Sequence, residues 1–328
     1  MPPSKIPSVK LSNGESIPVL GIGTWKSEPE KATQILMDAI DAGYRHIDAA
    51  KIYRNEPAVG QAICNKIADG TVKREDLFIT GKVWNTFHSR DLVVPSVRET
   101  LKDLKITYCD LFMIHWPMGF RENAKFGVDG YVDGDDLTPK DKDGKLIPSD
   151  VDYIETWKGL EDAVELGLVK SLGICNFNIS QIERIFAICK IKPVSMQVEC
   201  HAYQSQTEMI KYARSKGITV TGYSPLGSGD RVWRKESDPV LMTDPAISAM
   251  AIKYGKSNAQ ILIKFNVQRG VLTIPKPDTM EHIFANMDVF DFELSAEDLA
   301  KLEGMSLTTP FRYNIQTWLN HHPHYPWH

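Results

Sequence analysis

The stretch YRHID at residues 44–48 has the composition of a short buried strand and ends on the carboxylate of Asp48. Two similar stretches follow, LFITGK at 77–82 and DLFMIH at 110–115, which end on Lys82 and His115. The intervals between these three residues are nearly equal, and each is about the length of one strand–helix–strand unit. Groups at the carboxyl ends of successive parallel strands meet at one face of a sheet or barrel, where such folds place catalysis. The pattern predicts an enzyme.

Composition excludes several other classes of protein. The chain has 328 residues, is 42% hydrophobic and carries a formal net charge of −4, so it offers no electrostatic case for nucleic acid or an anionic membrane. It contains no apolar run near the roughly 20 residues needed to cross a bilayer, and its N-terminus has no apolar signal segment. Five cysteines without a C-x-x-C pair indicate reduced thiols. We therefore expect a cytoplasmic protein without nucleic-acid or membrane partners.

Short apolar runs alternate with amphipathic segments along most of the chain. Eight strands are predicted, at 20–23, 44–48, 77–83, 109–115, 169–174, 194–198, 219–223 and 271–274. Helical patterns lie between them, at 30–42, 58–68, 92–104, 154–166, 182–188, 208–216 and 259–268. Eight strand–helix alternations favour a parallel (β/α)8 TIM barrel over an open doubly wound sheet.

Four segments lie outside the repeating pattern. An N-terminal β-hairpin is predicted at about 8–19, around an Asn-Gly turn. Long loops at about 120–149 and 224–245 follow barrel strands, and such loops usually cover a ligand. The C-terminal tail, about 307–328, is aromatic without periodicity, so we expect it to pack over the barrel. No linker or repeat is evident, which predicts a single domain spanning 1–328.

A phenol can join the three strand-end groups, because Tyr53 follows Asp48 closely. An isolated buried Asp or His at a strand end is more often structural, but four complementary groups at this spacing favour catalysis. Tyr53 would be the general acid, although an ordinary phenol has a pKa of about 10. Lys82 is expected to lower that pKa, while Asp48 holds the ammonium. His115 would orient a carbonyl oxygen through an N–H group.

Two other motifs indicate cofactor binding less directly. GIGTWK at 21–26 lacks the third glycine of the dinucleotide fingerprint and is better explained as a loop that brings Trp25 to a pocket wall. Lys276 ends the eighth strand, where barrels often bind phosphate, although alone it would be an ordinary solvated lysine. The neighbouring loop adds donors and acceptors suited to a pyrophosphate and ribose, at Ser224, Leu226, Ser228 and Asp230.

Two apparent metal motifs are better explained otherwise. DKDG at 141–144 lacks the full ligand spacing of a calcium loop, and its ordinary interpretation is a solvated loop. The tail histidines are expected to be exposed, at positions His321, His322, His324 and His328. No metal is predicted.

The chain resembles the aldo-keto reductase superfamily, and within it the aldose/aldehyde reductase-like group, over essentially its whole length. The resemblance rests on GIGTWK (21–26), GYRHIDAA (43–50), YRNE (53–56), KVWN (82–85), DLFMIHWP (110–117), GICNFN (173–178), QVECH (197–201) and YSPLGS (223–228). It implies hydride transfer from NADPH to an aldehyde or ketone without a metal, with a catalytic tetrad of Asp48, Tyr53, Lys82 and His115.

The resemblance also implies roles for residues around the tetrad. Asn176 and Gln197 would hold the nicotinamide carboxamide, and Tyr223 would stack on its ring. The loop from Ser224 to Asp230 would fold over the pyrophosphate, and Lys276 would meet the 2′-phosphate. Further cofactor contacts are expected at Gly23, Thr24, Trp25, Lys26, Cys175, Thr279, His282 and Asn286. An apolar substrate pocket would be walled by Trp25, Trp84, Trp116, Phe120 and Trp233.

The chain departs from the family pattern where the cofactor is expected. Cys175 replaces a serine whose hydroxyl would help hold the carboxamide. His282 replaces an arginine, and a forked guanidinium clamps a phosphate in a way that His cannot copy. Pro277 lacks a backbone donor, and Asp278 adds a negative charge. We therefore expect a weaker NADPH preference than is usual, and an NADPH affinity that falls with rising pH if His282 faces the phosphate.

The sequence thus predicts a monomeric NADPH-dependent reductase of small-molecule carbonyls. A pocket with several Trp rings favours aromatic, medium-chain or lipid-derived aldehydes and ketones. One alternative is a ketosteroid or ecdysteroid-type keto reductase, since the same tetrad serves ketones. Another is a cofactor-binding structural or sensor protein, against which the intact tetrad argues.

Overall fold

A computed structural model describes residues 6–122 and 137–327, together with the backbone of two short strands between them. An antiparallel hairpin of β1 (Ser8–Lys10) and β2 (Ser16–Pro18) comes first. The principal strands are β3 (Ile22–Gly23), β4 (His46–Asp48), β5 (Phe78–Val83), β6 (Leu111–Ile114), β9 (Leu172–Cys175), β10 (Ser195–Glu199), β11 (Thr219–Tyr223) and β12 (Leu272–Thr273). The short strands β7 (Phe126–Gly127) and β8 (Gly130–Tyr131) pair antiparallel within the first long loop.

Helices alternate with these strands. They are α1 (Pro29–Ala42), α2 (Glu56–Ala68), α3 (Arg90–Asp103), α4 (Tyr153–Glu165), α5 (Ile179–Ile188), α6 (Thr207–Ser215), α7 (Pro245–Tyr254), α8 (Asn258–Gln268), α9 (Met280–Met287) and α10 (Ala296–Thr308). Side-chain caps define several of their starts. Asp152 accepts the amide of Ile154 at the start of α4, and Ser257 and Gln260 form a capping box on α8.

The principal strands form one eight-stranded sheet in the order β12-β11-β10-β9-β6-β5-β4-β3. Strand β5 pairs in parallel with β6, β6 with β9, and β11 with β12. The sheet is closed between its first and last strands. Leu20 forms a parallel bridge with Thr273, and the amide of Gly21 donates to the Thr273 carbonyl at 2.9 Å. The first strand region thereby pairs with the last, and the fold is a (β/α)8 barrel.

The predicted strands and the N-terminal hairpin are confirmed. Helices α7, α9 and α10 were not among the predicted helical segments, and α10 extends to Thr308, slightly into the predicted tail. No helix among the described residues is long and apolar enough to cross a membrane. Nor do those residues contain a group of three or more His, Cys, Asp or Glu side chains able to hold a metal ion.

The chain divides into two compact units. Unit 1 comprises residues up to Gly23, 38–46 and 197–315, and unit 2 comprises 24–37, 47–196 and 316–328. The predicted tetrad belongs to unit 2, whereas the loop 224–245 and Lys276 belong to unit 1. The single-domain organisation remains a prediction.

The expectation that the tail histidines are exposed was wrong for His322, which is 1% exposed. Its Nε2 lies 2.9 Å from the carbonyl oxygen of Gly119. Nearby, the Asn178 side-chain amide donates to the Pro326 carbonyl at 3.1 Å. The end of the tail therefore packs within unit 2, because its backbone and imidazole groups find hydrogen-bond partners there. His328 lies outside the described residues.

Acidification should weaken the attachment of the tail. Burial lowers the pKa of His322 to about 4, with a smaller effect from His324 and an opposing one from its bond to Gly119. An ordinary His has a pKa of about 6.5, so the unfolded chain binds this proton first. The contribution of the buried His322 to the free energy of unfolding should be fully present above about pH 6.5 and should be lost as the pH falls toward 4. Urea unfolding at pH 7 and pH 5 should show a smaller loss in His322→Gln than in wild type or the exposed control His321→Gln; equal losses would contradict this assignment.

Candidate active site

Lys82 lies at the centre of a buried polar cluster in unit 2. It sits on β5, where every residue is buried. Its Nζ lies 2.5 Å from Oδ1 of Asp48 and donates to the Ala49 carbonyl at 3.1 Å. The side chains of Lys82 and Asp48 are 0% and 2% exposed. A buried ammonium is tolerable only when paired and hydrogen-bonded, and Asp48 and Ala49 meet that requirement.

Tyr53 joins this cluster from the turn that follows β4. Residues Lys51–Tyr53 form a single 3-10 turn, which places the Tyr53 hydroxyl 3.3 Å from Nζ of Lys82. The Tyr53 ring also meets the His115 ring edge-on, with centroids 5.7 Å apart. The structure therefore brings together all four residues of the tetrad predicted from the sequence.

The acidity of Tyr53 differs from the sequence-based expectation. Burial raises its pKa well above the ordinary value, and the negative charge of Asp48 raises it further. Lys82 was expected to lower this pKa, but its charge is offset by Asp48 at 2.5 Å. The phenol consequently holds its proton throughout the neutral range and is a hydrogen-bond donor in its resting state.

His115 is a neutral imidazole at physiological pH. Burial lowers its pKa well below the ordinary value, and the positive charge of Lys82 contributes in the same direction. Within the described residues, its buried Nδ1 has no hydrogen-bond partner. A neutral imidazole carries one N–H, so it can donate to a polar group without adding a charge to the site.

Aromatic rings enclose the imidazole. Trp84 meets His115 edge-on at 5.3 Å between centroids, and Phe120 meets Trp84 in the same way at 5.8 Å. Trp116 is stacked beside His115 at 6.4 Å and contacts Trp327 of the tail. The Trp84 indole N–H donates at 2.6 Å to the carbonyl of Leu137, in the first long loop. Three predicted pocket residues, Trp84, Trp116 and Phe120, thus form one buried aromatic wall.

Asn176 follows β9 in a left-handed backbone conformation, with φ of 64°. Its side-chain Nδ2 donates to the His115 carbonyl at 3.1 Å and lies 3.1 Å from Sγ of Cys175. This strand end is therefore attached to the strand that carries His115. Cys175 is a buried thiol whose pKa is raised by burial.

The GIGTWK loop ends beside the tetrad within unit 2. The Thr24 hydroxyl donates to the Asp48 carbonyl at 2.8 Å, and Asn55 Nδ2 donates to the carbonyls of Thr24 and Ser27 at 2.7 and 3.0 Å. Trp25 and Lys26 are half-buried, and the Lys26 ammonium lies 4.1 Å from the centre of the Trp25 ring. In unit 1, a Cβ on Gly23 would collide with the carbonyl of Ile274, which explains the glycine there.

The loop after β11, in unit 1, has a backbone suited to an anion. Ser224, Gly227 and Ser228 have φ of 50°, 86° and 47°. Successive N–H groups in such turns can form an anion-binding concavity. Lys276 adds a cation, although its Nζ lies 2.7 Å from Asp278 and 3.6 Å from Asp230. The two carboxylates therefore offset the charge of Lys276 and oppose additional negative charge.

The other predicted cofactor residues of unit 1 differ in how far they are buried. Thr279 caps α9 by accepting the amide of His282 at 3.2 Å, and His282 itself is exposed. Gln197 and Asn286 are buried, whereas Tyr223 is half-buried.

Sequence reasoning missed a second polar network in unit 1. Glu199 accepts the backbone amides of Tyr313 and Asn314 at 2.6 and 3.0 Å and lies 2.9 Å from Nε2 of His201. Burial alone would raise the Glu199 pKa, but the hydrogen bonds and charge of His201 lower it below the ordinary value. Asn314 Nδ2 also donates to the Ser224 hydroxyl at 3.1 Å. The sequence signal that could have identified this network is the charged Glu199 at the end of the buried strand β10.

Aromatic side chains of unit 1 hold the loop 224–245 in place. Trp233 is 43% exposed, and its indole N–H donates to the Tyr313 carbonyl at 2.9 Å. Arg231 is buried, pairs with Asp238 and lies 4.7 Å from the centre of the Tyr313 ring. Leu226 packs against the hydrophobic cluster that contains Tyr313.

A (β/α)8 barrel with an ammonium, carboxylate, phenol and imidazole gathered at its strand ends defines a barrel oxidoreductase. The family model described as "Aldo/keto reductase family" matches residues 19–306. The human protein "Aldo-keto reductase family 1 member A1" is 44% identical over 91% of this chain and 89% of its own length. Its Xenopus tropicalis namesake is 46% identical over 93% and 90%.

Solved structures agree. Aldose reductase from Schistosoma japonicum matches with a TM-score of 0.88 at 39% identity, over 98% of both chains. A Bombyx mori aldo-keto reductase in complex with NADP matches with a TM-score of 0.86 at 36% identity, over 98% of this chain and 99% of that one. The chain belongs to the aldo/keto reductase family. It is an NAD(P)H-dependent oxidoreductase that acts on small-molecule carbonyls.

Proposed function

We propose that the protein reduces aldehydes and ketones to alcohols with NADPH, using Tyr53 as the general acid. The observation that carries the proposal is the ammonium of Lys82, which lies within hydrogen-bond reach of both the Tyr53 hydroxyl and the Asp48 carboxylate. The bound cofactor supplies the hydride. The protein's residues must then hold the carbonyl and deliver a proton to its oxygen.

Each tetrad member has a distinct task in this proposal. Tyr53 retains its proton at rest because its pKa is raised, and it donates that proton only as negative charge develops on the carbonyl oxygen. Lys82 stabilises the phenolate that forms, and Asp48 holds Lys82 and balances its charge. Neutral His115 donates an N–H to the carbonyl oxygen and so orients the substrate. A preorganised donor of this kind needs no reorganisation during the reaction.

The aromatic wall indicates the substrate class. Trp84, Trp116 and Phe120 are each less than 9% exposed; Trp84 and Phe120 meet edge-to-face, and Trp116 stacks beside His115. Rigid apolar surfaces favour aromatic, medium-chain or lipid-derived carbonyls over small polar sugars. We propose that Trp25, which belongs to the same unit, also lines this pocket; the role of Trp233 stays a prediction from the sequence resemblance.

The substrate class can be tested with a matched panel of aliphatic aldehydes, an aromatic aldehyde, an aldose and a rigid polycyclic ketone. We expect kcat/KM to rise with chain length, by about fifteenfold for each pair of added methylenes that is fully buried. Preference for the aldose would contradict the apolar pocket. Efficient turnover of the polycyclic ketone with poor turnover of aldehydes would favour the ketosteroid alternative.

For the nicotinamide end we propose Asn176, Thr24, Lys26 and Cys175 of unit 2, and the resemblance to the family adds Gly23, Gln197 and Tyr223 of unit 1. We assign the phosphate-bearing end to the loop from Ser224 to Asp230, including Leu226 and Ser228, and to Lys276, Thr279, His282 and Asn286. The preference for NADPH over NADH should be modest. Lys276 is already engaged by Asp278 and Asp230, and the exposed His282 offers no bidentate fork.

Replacing His282 with arginine should raise NADPH affinity about tenfold and leave NADH affinity unchanged, because a guanidinium binds phosphate bidentately. Quenching of protein fluorescence on titration with each cofactor measures both values without turnover. His321→Arg, which adds the same side chain at another exposed histidine, is the control. An equal gain for both cofactors would remove His282 from the 2′-phosphate site.

We further propose a monomeric, cytoplasmic protein with a single barrel domain. Measurement of its mass in solution at micromolar concentration tests the first of these statements. A dimer at that concentration would overturn it.

A further inference from the structure

The turn that carries Tyr53 is fixed from two sides. On one side, Asn55 holds the loop of Thr24 and Ser27 through the two hydrogen bonds described above. On the other side lies Lys51, the first residue of the same 3-10 turn. Its Nζ makes ion pairs with Glu99 at 2.8 Å and with Asp103 at 3.0 Å, both on α3.

These ion pairs differ from ordinary surface pairs. The side chains of Lys51, Glu99 and Asp103 are only 16%, 18% and 26% exposed. Oε2 of Glu99 is buried and, among the described residues, has no hydrogen-bond partner. Lys51 is therefore the cation that makes this carboxylate tolerable, and exposed pairs are far less consequential.

A third carboxyl group lies in the same cluster. Glu56, in the first turn of α2, is 2% exposed and accepts a hydrogen bond from the Thr100 hydroxyl at 3.1 Å. Burial raises its pKa to about 7, whereas the charge of Lys51 acts to lower it. Lys51 thus pairs with two carboxylates, and its charge also acts on a third acidic side chain three residues after the turn.

The other end of the attachment is rigid. Gly60 of α2 leaves no room for a Cβ against the backbone of Asp103, so the two helices meet at close range. An anchor on α3 cannot shift freely when the turn is pulled or released. The Lys51 ion pairs therefore join the Tyr53 turn to a helix that is closely packed against α2.

We propose that Lys51 is a positioning residue for the reduction, fastening the Tyr53 turn to α3 through Glu99 and Asp103. This inference rests on the proposed role of Tyr53 as general acid. Without the cation, the remaining carboxylates repel one another, and the turn shifts to let water reach them. Displacements of about 1 Å in an active site can cost up to about a hundredfold in rate.

Lys51→Met tests the proposal because it keeps the aliphatic stem and removes the charge. We expect kcat per cofactor-binding site to fall about tenfold or more, with the cofactor dissociation constant unchanged. With cofactor deuterated at the transferred position, the isotope effect on kcat should rise, because chemistry has slowed. Lys51→Arg should recover most of the activity. Glu99→Gln, which keeps the cation and Asp103, should give a smaller loss.

The control is Lys158→Met, which removes a lysine from an exposed ion pair with Glu155 in the same unit. Unchanged kcat and isotope effect in Lys51→Met would overturn the proposal. A lower unfolding temperature with unchanged kcat per site would do the same, since it would show a purely structural role. If Lys51→Met does not fold, Glu99→Gln takes its place: a lower kcat supports the positioning role, and an unchanged kcat overturns it. If Tyr53→Phe remains active, the proposed role of Tyr53 as general acid fails, whatever Lys51 does.

Discussion

Substituting phenylalanine for Tyr53 is expected to lower kcat for a good aldehyde about a thousandfold, within the usual range for loss of a general acid. The change removes one oxygen and leaves the ring, which contacts His115 edge-on. Cofactor affinity should stay within about twofold of wild type, because no cofactor contact is assigned to the hydroxyl. The measurement is the initial rate of reduced-cofactor consumption under saturating conditions.

Tyr153→Phe is the matched control for this substitution. Tyr153 is a buried tyrosine of the same unit, and its hydroxyl accepts a hydrogen bond from Arg184 at 2.8 Å. Its removal should leave kcat unchanged. If Tyr53→Phe keeps more than about a third of wild-type kcat, the proton comes from another group, and His115 becomes the next candidate.

The Lys82→Met variant should lose both activity and stability. Methionine fills much of the volume but leaves the Asp48 carboxylate buried without its ammonium partner. Breaking a buried pair in this way typically costs about 3–5 kcal/mol of unfolding free energy. The phenolate formed on Tyr53 would also lose its stabilising charge, so kcat should fall by at least about a hundredfold. Urea unfolding and kcat per cofactor-binding site measure the two losses separately.

The double variant Lys82→Met with Asp48→Asn separates the two effects. Removing the orphaned carboxylate should restore most of the stability and none of the activity. Recovery of kcat along with stability would mean that Lys82 serves the fold alone. A Lys82→Met variant as stable as wild type would show that the buried Asp48–Lys82 pair does not stabilise the fold.

The barrel and the tetrad could be predicted because both follow from local periodicity. Each of Asp48, Lys82 and His115 ends a short apolar run, and parallel strands bring such ends together whatever the helices between them contain. The burial of His322 was missed for the opposite reason. His322 is buried by its contact with Gly119, far away in sequence, and no periodic pattern encodes that contact.

The acidity of Tyr53 was also beyond sequence reasoning. Residue types indicated that Lys82 would lower the phenol pKa, but the outcome depends on burial and on the distance from Lys82 to Asp48. The ion pairs of Lys51 were equally hidden, since Glu99 and Asp103 belong to a helix that the sequence shows only as amphipathic. Chemistry-bearing residue types can be read from a chain, whereas their charges depend on three-dimensional neighbours.

The bridge between Leu20 and Thr273 joins two residues near opposite ends of the barrel sequence. Contacts between residues so distant along the chain form slowly, because the intervening segment must first lose much of its conformational freedom. Until they form, two strand edges stay exposed to pairing with other molecules. Yields of refolded protein should therefore fall with protein concentration, and substitutions that weaken this bridge should reduce recovery more than they reduce the activity of the molecules that fold.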